Sequence, residues 1–480
     1  MTEQFPSMNR LICFLIMLSG FRLSGNSDYE FNFRNELYDE YIKTVTLEIN
    51  NLPTNFPIFT LNSGQYVMLK FDDLLNEERY LYYRVIHCDK NWQPSSLSEI
   101  ETISGFNDER MRNYEYSINT KVPYIHYWQQ FPNKDTQFKV SGNYLIVVYE
   151  DKIDFPLLTR RFIIKEDKVA VSINSTYPGD VENIRYKQEL QVNINFEKFK
   201  MRNPVDEVSL VMLMNEDWNS AIYAKPSFFS GANLRFNKIR TFSWWGLAEY
   251  RDFDTRSLMR LGRGVKYIER KKDNIDVLLM TDEARRNKVY LTNFDFNGRF
   301  LIDNFEGMRN RLVTDVLDNY ISTTQANQEL TQTLRDSIVS GINKRNALLD
   351  GVYRAEERNI RSDYTYVTFV LDDMINLDAG DIYVLGAMNN WLPSQDYKMK
   401  YDTKRDLYTT TVQLKQGYYN YMYGIPGQKN EINYQVMEGS WNETENDYQA
   451  LVYYRGLGDL YDRVIGYHTY NTNSALLNIR

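Results

Sequence analysis

His87, Cys88 and Asp89 are consecutive, and between them they carry what a thiol hydrolase needs: a nucleophile, a base and a carboxylate to orient the base. Their spacing works against that use. The surrounding run YLYYRVIHCD (Tyr80 to Asp89) reads as a strand, on which successive side chains point to opposite faces. His87 and Asp89 then share one side and Cys88 faces the other. A dyad with His126 would require the fold to bring that remote ring to the thiol. The residues themselves point to a small buried filler at Cys88. His87 is expected to hydrogen-bond the following turn, with Asp89 and Asn91 meeting backbone N–H groups there.

The remaining chemistry is thin. The chain has 3 histidines, His87, His126 and His468, and no pair of them has the short spacing of a metal-ligand motif. The pairs Asp72-Asp73 and Asp372-Asp373 are adjacent residues at strand ends, so they cannot face one bond together and read as turn and cap residues. No P-loop, GxGxxG, GxSxG or HExxH pattern occurs. These observations argue for a protein that is not an enzyme and takes no cofactor or metal.

The 480 residues suffice for about three domains of ordinary size. Tyr occurs 38 times and Phe 25 times against only 12 Pro and 23 Gly, a balance that favours strands, because flat rings pack well on a pleated sheet. Net charge is −8 with both signs interspersed, so there is no basic stripe to neutralise phosphates and nucleic acid is excluded as a partner. At the N-terminus Arg10, the apolar run Leu11 to Phe21 and the small residues up to Gly25 read as a secretory signal peptide over 1–25. The apolar run is about half the ~20 residues of a membrane-spanning helix. Its removal leaves Cys88 as the only cysteine and allows no intramolecular disulfide.

The mature chain divides into segments of distinct periodicity. KTVTLEI (Lys43 to Ile49), QYVMLKF (Gln65 to Phe71), NYLIVVY (Asn143 to Tyr149) and RRFIIKE (Arg160 to Glu166) follow the period-two pattern of half-buried strands, with Gly, Pro, Ser and Asn turns between them. This predicts an immunoglobulin-like β-sandwich over 38–166. A second sandwich is expected over 167–303, built from ELQVNINF, VSLVMLM, NIDVLLM and KVYLTNF and ending at an Asn297-Gly298 hairpin. Between 308 and 350 the apolar residues recur at helical spacing, as in Leu330, Leu334, Ile338 and Ile342. This predicts a helical insertion, read first as a hairpin packed on its own sandwiches and second as an arm that grips a partner. A last sandwich is expected over 363–466. The predicted fold class is therefore mainly β: tandem immunoglobulin-like antiparallel sandwiches with a helical insertion before the last domain.

Several stretches together resemble one family. RVIHCDKNWQPSSL (Arg84 to Leu97), NYEYSINTKVPYIHYWQQFPN (Asn113 to Asn133), SGNYLIVVYED (Ser141 to Asp151) and YDRVIG (Tyr461 to Gly466) are similar to the type IX secretion system plug proteins, and AEYRDFDTRSL and EGSWNETENDY add to the likeness. The resemblance covers nearly the whole mature chain, with the 308–350 run as its departure. It implies a periplasmic all-β protein of the Bacteroidota, associated with the inner side of the outer membrane and not itself membrane-spanning. Its partner would be the translocon β-barrel of the outer membrane, whose periplasmic mouth it closes when no cargo passes. No small-molecule substrate is implied. The partner-binding candidates are the aromatic and polar residues Trp92, Tyr124, His126, Tyr127, Trp128 and Phe131, of the kind that anchor protein interfaces.

An alternative comes from GDIYVLGAMNNWLPS (Gly380 to Ser394), which resembles the early-set immunoglobulin-like modules at the front of glycogen-branching enzymes. Trp391 and Trp441 are its candidates for stacking on the sugars of a polysaccharide. Packing of Trp391 on its own sheet, and of Trp441 as a cap, is the stronger expectation. An outer-membrane β-barrel ranks last, because charge is frequent within the strands and the helical run interrupts the β pattern.

Overall fold

The computed structural model describes residues 29–52, 56–293, 295–306, 355–372, 380–427 and 431–472. The expected signal peptide and the 308–350 helical run lie outside the described residues, as does Asp373. Strands make up 48% of the structure and helices 7%, so the chain is mainly β, as its aromatic composition predicts. Among the described residues no helix is long and apolar enough to cross a membrane.

The first unit is two sheets facing one core. One sheet runs in the order Glu36–Leu37, Pro156–Lys165, Gly142–Tyr149, Tyr82–Cys88, Glu109–Arg110; the other in the order Ile42–Ile49, Val67–Asp73, Ile125–Phe131, Tyr114–Tyr116. Alternate residues of both meet between them, with Val85, Tyr144, Ile146 and Phe162 from one and Ile42, Leu69, Phe71 and Phe131 from the other. The expected alternation in Lys43 to Ile49 is broken at its start: Thr44 sits at φ 50° and the register shifts between Lys43 and Thr46. This bulge turns Thr44 away from the strand's regular pattern.

The remaining sheets interleave two stretches of sequence that the period-two pattern assigns to separate units. Val208–Met214 pairs with Asp447–Tyr454, which pairs in turn with Arg463–Asn471, so the last strands of the chain join the middle unit. Conversely, Ile275–Glu283 pairs in parallel with Tyr364–Asp372, and Arg251–Asp254 pairs with Gly417–Pro426, so part of the 167–303 stretch builds the third unit. Val208–Met214 is buried on both faces, an environment that explains its unbroken apolar run.

Two expectations of the sequence are corrected here. The run Lys288 to Asn293 is not a strand; Val289 and Leu291 are 85% and 77% exposed, so their alternation has no core to face. Asn297 and Gly298 do form a turn, with positive φ at both residues as a type I′ turn requires. Only its downstream arm is a strand, and Phe300–Ile302 pairs with Gly417–Pro426 rather than with the residues before the turn.

Candidate functional site

Cross-strand register builds the site. In the second sheet of the first unit Asp72 lies directly opposite His126, and Lys70 opposite Trp128. Adjacent positions alternate in facing, so Phe71 and Tyr127 enter the core and stack there at 5.4 Å, while Asp72 and His126 emerge on the outer face. That face is not open to water. The third unit covers it with Tyr364 and Lys415, which come from the paired strands Tyr364–Asp372 and Leu407–Lys415.

The Asp72 carboxylate is the centre of the contact. Its Oδ1 meets His126 Nδ1 at 2.6 Å, and its Oδ2 accepts from Lys415 Nζ at 2.6 Å and from the Tyr364 hydroxyl at 2.6 Å. The Tyr364 hydroxyl also meets Thr44 Oγ1 at 2.6 Å, and it is the bulge that puts Thr44 there. Lys415 lies 4.3 Å from the centre of the Tyr124 ring, within cation–π range. Asp72, His126 and Lys415 are all buried. Burial alone would raise the carboxyl pKa of Asp72; Lys415 and His126 more than offset this and hold it below the ordinary carboxylate range. Burial lowers the pKa of His126 and favours its neutral ring, whose Nε2 has no hydrogen-bond partner among the described residues. Beside this cluster, Lys70 and Glu48 pair at 2.9 Å on the same sheet face.

The partner-binding candidates separate into three environments. Tyr124 and His126 belong to the contact with the third unit. Tyr127 and Phe131 belong to the core of the first unit, where Phe131 meets Tyr83 edge-on at 4.9 Å. Trp92 is buried between the first and middle units, edge-on to Trp218 at 4.9 Å and under the Arg161 guanidinium at 4.4 Å. Trp128 alone of the six keeps part of its surface in water, stacked on His126 at 5.9 Å.

The hydrolase constellation is also dispersed. His87 hydrogen-bonds Ser95 Oγ at 2.7 Å, beyond the turn, and the backbone oxygen of Ser141 at 3.2 Å; burial pushes its pKa down to about 4. Asp89 accepts the backbone N–H groups of Asn91 and Gln93 at 2.8 Å, the turn role read from the sequence; the Asn91 backbone is a donor there. Cys88 is fully buried, its thiol pKa pushed up by burial, in the apolar contact with the middle unit. His126 emerges on the opposite outer face of the same sandwich, so the first unit's core separates the two. Asp73 caps a turn by accepting the Leu75 N–H at 3.0 Å, as expected. Asp72 does not; its role is corrected from turn residue to the centre of an inter-unit contact. The sequence offered one signal for this, Lys70 and Asp72 at alternate positions on either side of Phe71 in the strand Val67–Asp73.

The two tryptophans of the glucan alternative pack in different places. Trp391 is 8% exposed, in a left-handed turn at φ 54°, and packs over the Asn297-Gly298 turn, where a Cβ on Gly298 would come 3.0 Å from its ring. Trp441 is half-buried against Tyr290 at 5.9 Å, and its backbone N–H donates to Leu247. Among the described residues no three His, Cys, Asp or Glu side chains converge as a metal site would require.

Residues 42–166 match the family model described as the type 9 secretion system plug protein 1st domain. They contain the buried core of the two-sheet unit just described, whose edge strand Glu36–Leu37 lies just before them. The fold as a whole is similar to the crystal structure of a hypothetical protein from Parabacteroides merdae ATCC 43184, at 26% identity and a TM-score of 0.78, over 92% of this chain and 100% of that one. No curated protein matches.

Proposed function

As a chain that carries the first domain of the type 9 secretion system plug proteins, this protein is one for which we propose a non-enzymatic role: it binds the periplasmic side of the outer-membrane translocon barrel and seals the pore when no cargo passes. The observation that carries the reading is that the matched residues 42–166 supply a closed core of their own. The periplasmic location and the tandem immunoglobulin-like organisation are parts of the same reading. It is supported further by the burial of Cys88, His87, His126 and Asp72 and by the packing that holds the Cys88 thiol apart from His126 and Asp72.

The docking face in this reading is made of apolar side chains that remain in water. Tyr177, Val181, Ile184 and Tyr186 lie on one loop at 86%, 75%, 36% and 46% exposure, and Ile239, at 65%, packs over Gly179 of the same loop. Such a patch is the usual mark of a protein contact. The test is affinity purification of the tagged mature protein from native outer-membrane extract. Recovery of the very large barrel, enriched when cargo is depleted, supports the reading; clean recovery without a barrel rejects it. The glucan alternative finds no shared platform in the placement of Trp391 and Trp441.

A further inference from the structure

The first unit touches the rest of the chain along two seams of opposite chemistry. On one outer face Ile86, Cys88, Leu145 and Val147 pack with Val211 and Leu451 of the middle unit in a single buried apolar cluster. On the other face the contacts with the third unit are mainly polar, with one edge-on ring contact, Tyr124 to Tyr364 at 5.3 Å, among them. Besides Asp72 with Lys415 and Tyr364, the Ile118 N–H donates to Ile360 O at 2.8 Å, and the Lys121 and Val122 N–H groups donate to the Asp363 carboxylate at 2.8 and 3.2 Å. The Tyr124 hydroxyl donates to the backbone oxygens of Asn359 and Ser362. Among the described residues no buried apolar cluster spans this second seam. A cleft of about 1070 Å³ runs along it, with Lys43 and Thr44 on one wall and Tyr366 and Gln413 on the other.

The two seams differ in what opening them costs. Parting the apolar one exposes its buried area to water at the full hydrophobic penalty. Parting the polar one trades protein hydrogen bonds for hydrogen bonds to water, so each contributes little net resistance to opening. A buried ion pair also recovers its desolvation penalty once water reaches it, and the unpartnered His126 Nε2 gains a partner. We propose that the polar seam is a joint: the third unit parts from the first along the Asp72 contact, widening the cleft, while the apolar seam stays shut. Asp72 is the latch, Lys415 and Tyr364 its keepers. The joint does not depend on the plug reading, since it is a property of the chain alone.

The experiment is hydrogen exchange by mass spectrometry on the full mature chain, together with the rate of Cys88 labelling by a thiol reagent, because Cys88 reports the apolar seam. Lys415→Met removes the ion pair. Tyr364→Phe removes only the hydroxyl shared by Asp72 and Thr44, and serves by itself if Lys415→Met does not fold. Exchange over residues 118–122 is expected to rise at least about tenfold in Lys415→Met and by a smaller factor in Tyr364→Phe. Exchange over Gly142–Tyr149 and labelling of Cys88 are expected to stay at the wild-type rate. Unchanged exchange at 118–122 in whichever variants fold, or a parallel rise in Cys88 labelling, overturns the proposal.

Discussion

Asp72 and Lys415 stand 343 residues apart in the chain and meet at 2.6 Å, both buried, across the contact between the first and third units. Among the described residues neither charge has another full-time opposite charge against it: the second group on Asp72 is His126, whose pKa burial lowers, and the second neighbour of Lys415 is the face of Tyr124. The pair is therefore mutually dependent.

Removal of one partner strands the other. Asp72→Asn or Lys415→Met is expected to lower unfolding stability by about 3–5 kcal/mol, whereas the double variant loses clearly less than the sum, because no charge is left buried alone. Urea denaturation of the set checks this. Strict additivity of the single effects would show that the two side chains do not depend on each other.

His87 predicts a pH dependence. Its folded pKa, about 4, lies below the ordinary 6.5. Between these values the unfolded chain binds the proton and the folded chain does not, so stability rises with pH across that window and is fully present above pH 6.5. The loss on going from about pH 7 to about pH 4 is expected to be about 3 kcal/mol. His87→Gln should flatten that part of the profile, and a profile of wild-type slope in the variant would contradict the assignment.

Glu438 acts in a more acidic window. Burial alone would raise its pKa from 4.5, but Arg251 and Arg285 outweigh burial and hold it at about 2. Its carboxylate receives Arg251 at 3.0 Å and Arg285 at 2.7 Å, and also the Tyr423 N–H at 2.9 Å. A carboxyl with a depressed folded pKa contributes stability above pH 4.5, and this is lost as pH falls toward 2. Glu438→Gln is expected to cost about 3–5 kcal/mol at pH 7 and much less near pH 2, as read by denaturation at both values.

The exposed loop gives a prediction about binding. Val181→Ser with Ile239→Ser removes apolar surface that the folded chain leaves in water, so the melting temperature should stay within a degree or two of wild type. Recovery of the barrel in the affinity purification should fall about tenfold or more. Equal recovery with both substitutions in place would move the docking face elsewhere.

Local pattern made much of the architecture legible. Val208–Met214 was readable to the residue, and the Ser141 to Asp151 stretch contains the central strand Gly142–Tyr149. Partner choice was not legible, because alternation says which face a strand buries and nothing about which strand lies beside it. The pairing of Val208–Met214 with Asp447–Tyr454, and of Ile275–Glu283 with Tyr364–Asp372, therefore had no signal in either segment.

The same limit explains the site. Tyr124, His126 and Trp92 read as candidates for contact with a partner, and the fold places them at contacts between units of their own chain. Whether an aromatic anchor meets another chain or a remote part of its own is decided by tertiary packing. Lys415 closes a strand whose sequence, LYTTTVQLK, reads as an ordinary polar end, and only the fold brings it to Asp72.

The central claim concerns sealing, and conductance measures it directly. The purified translocon barrel would be inserted in a planar bilayer and the mature protein added to the periplasmic side. The account predicts that the open-pore current falls in a saturable manner and returns when the protein is washed out. Full binding to the barrel with an unchanged current would contradict it.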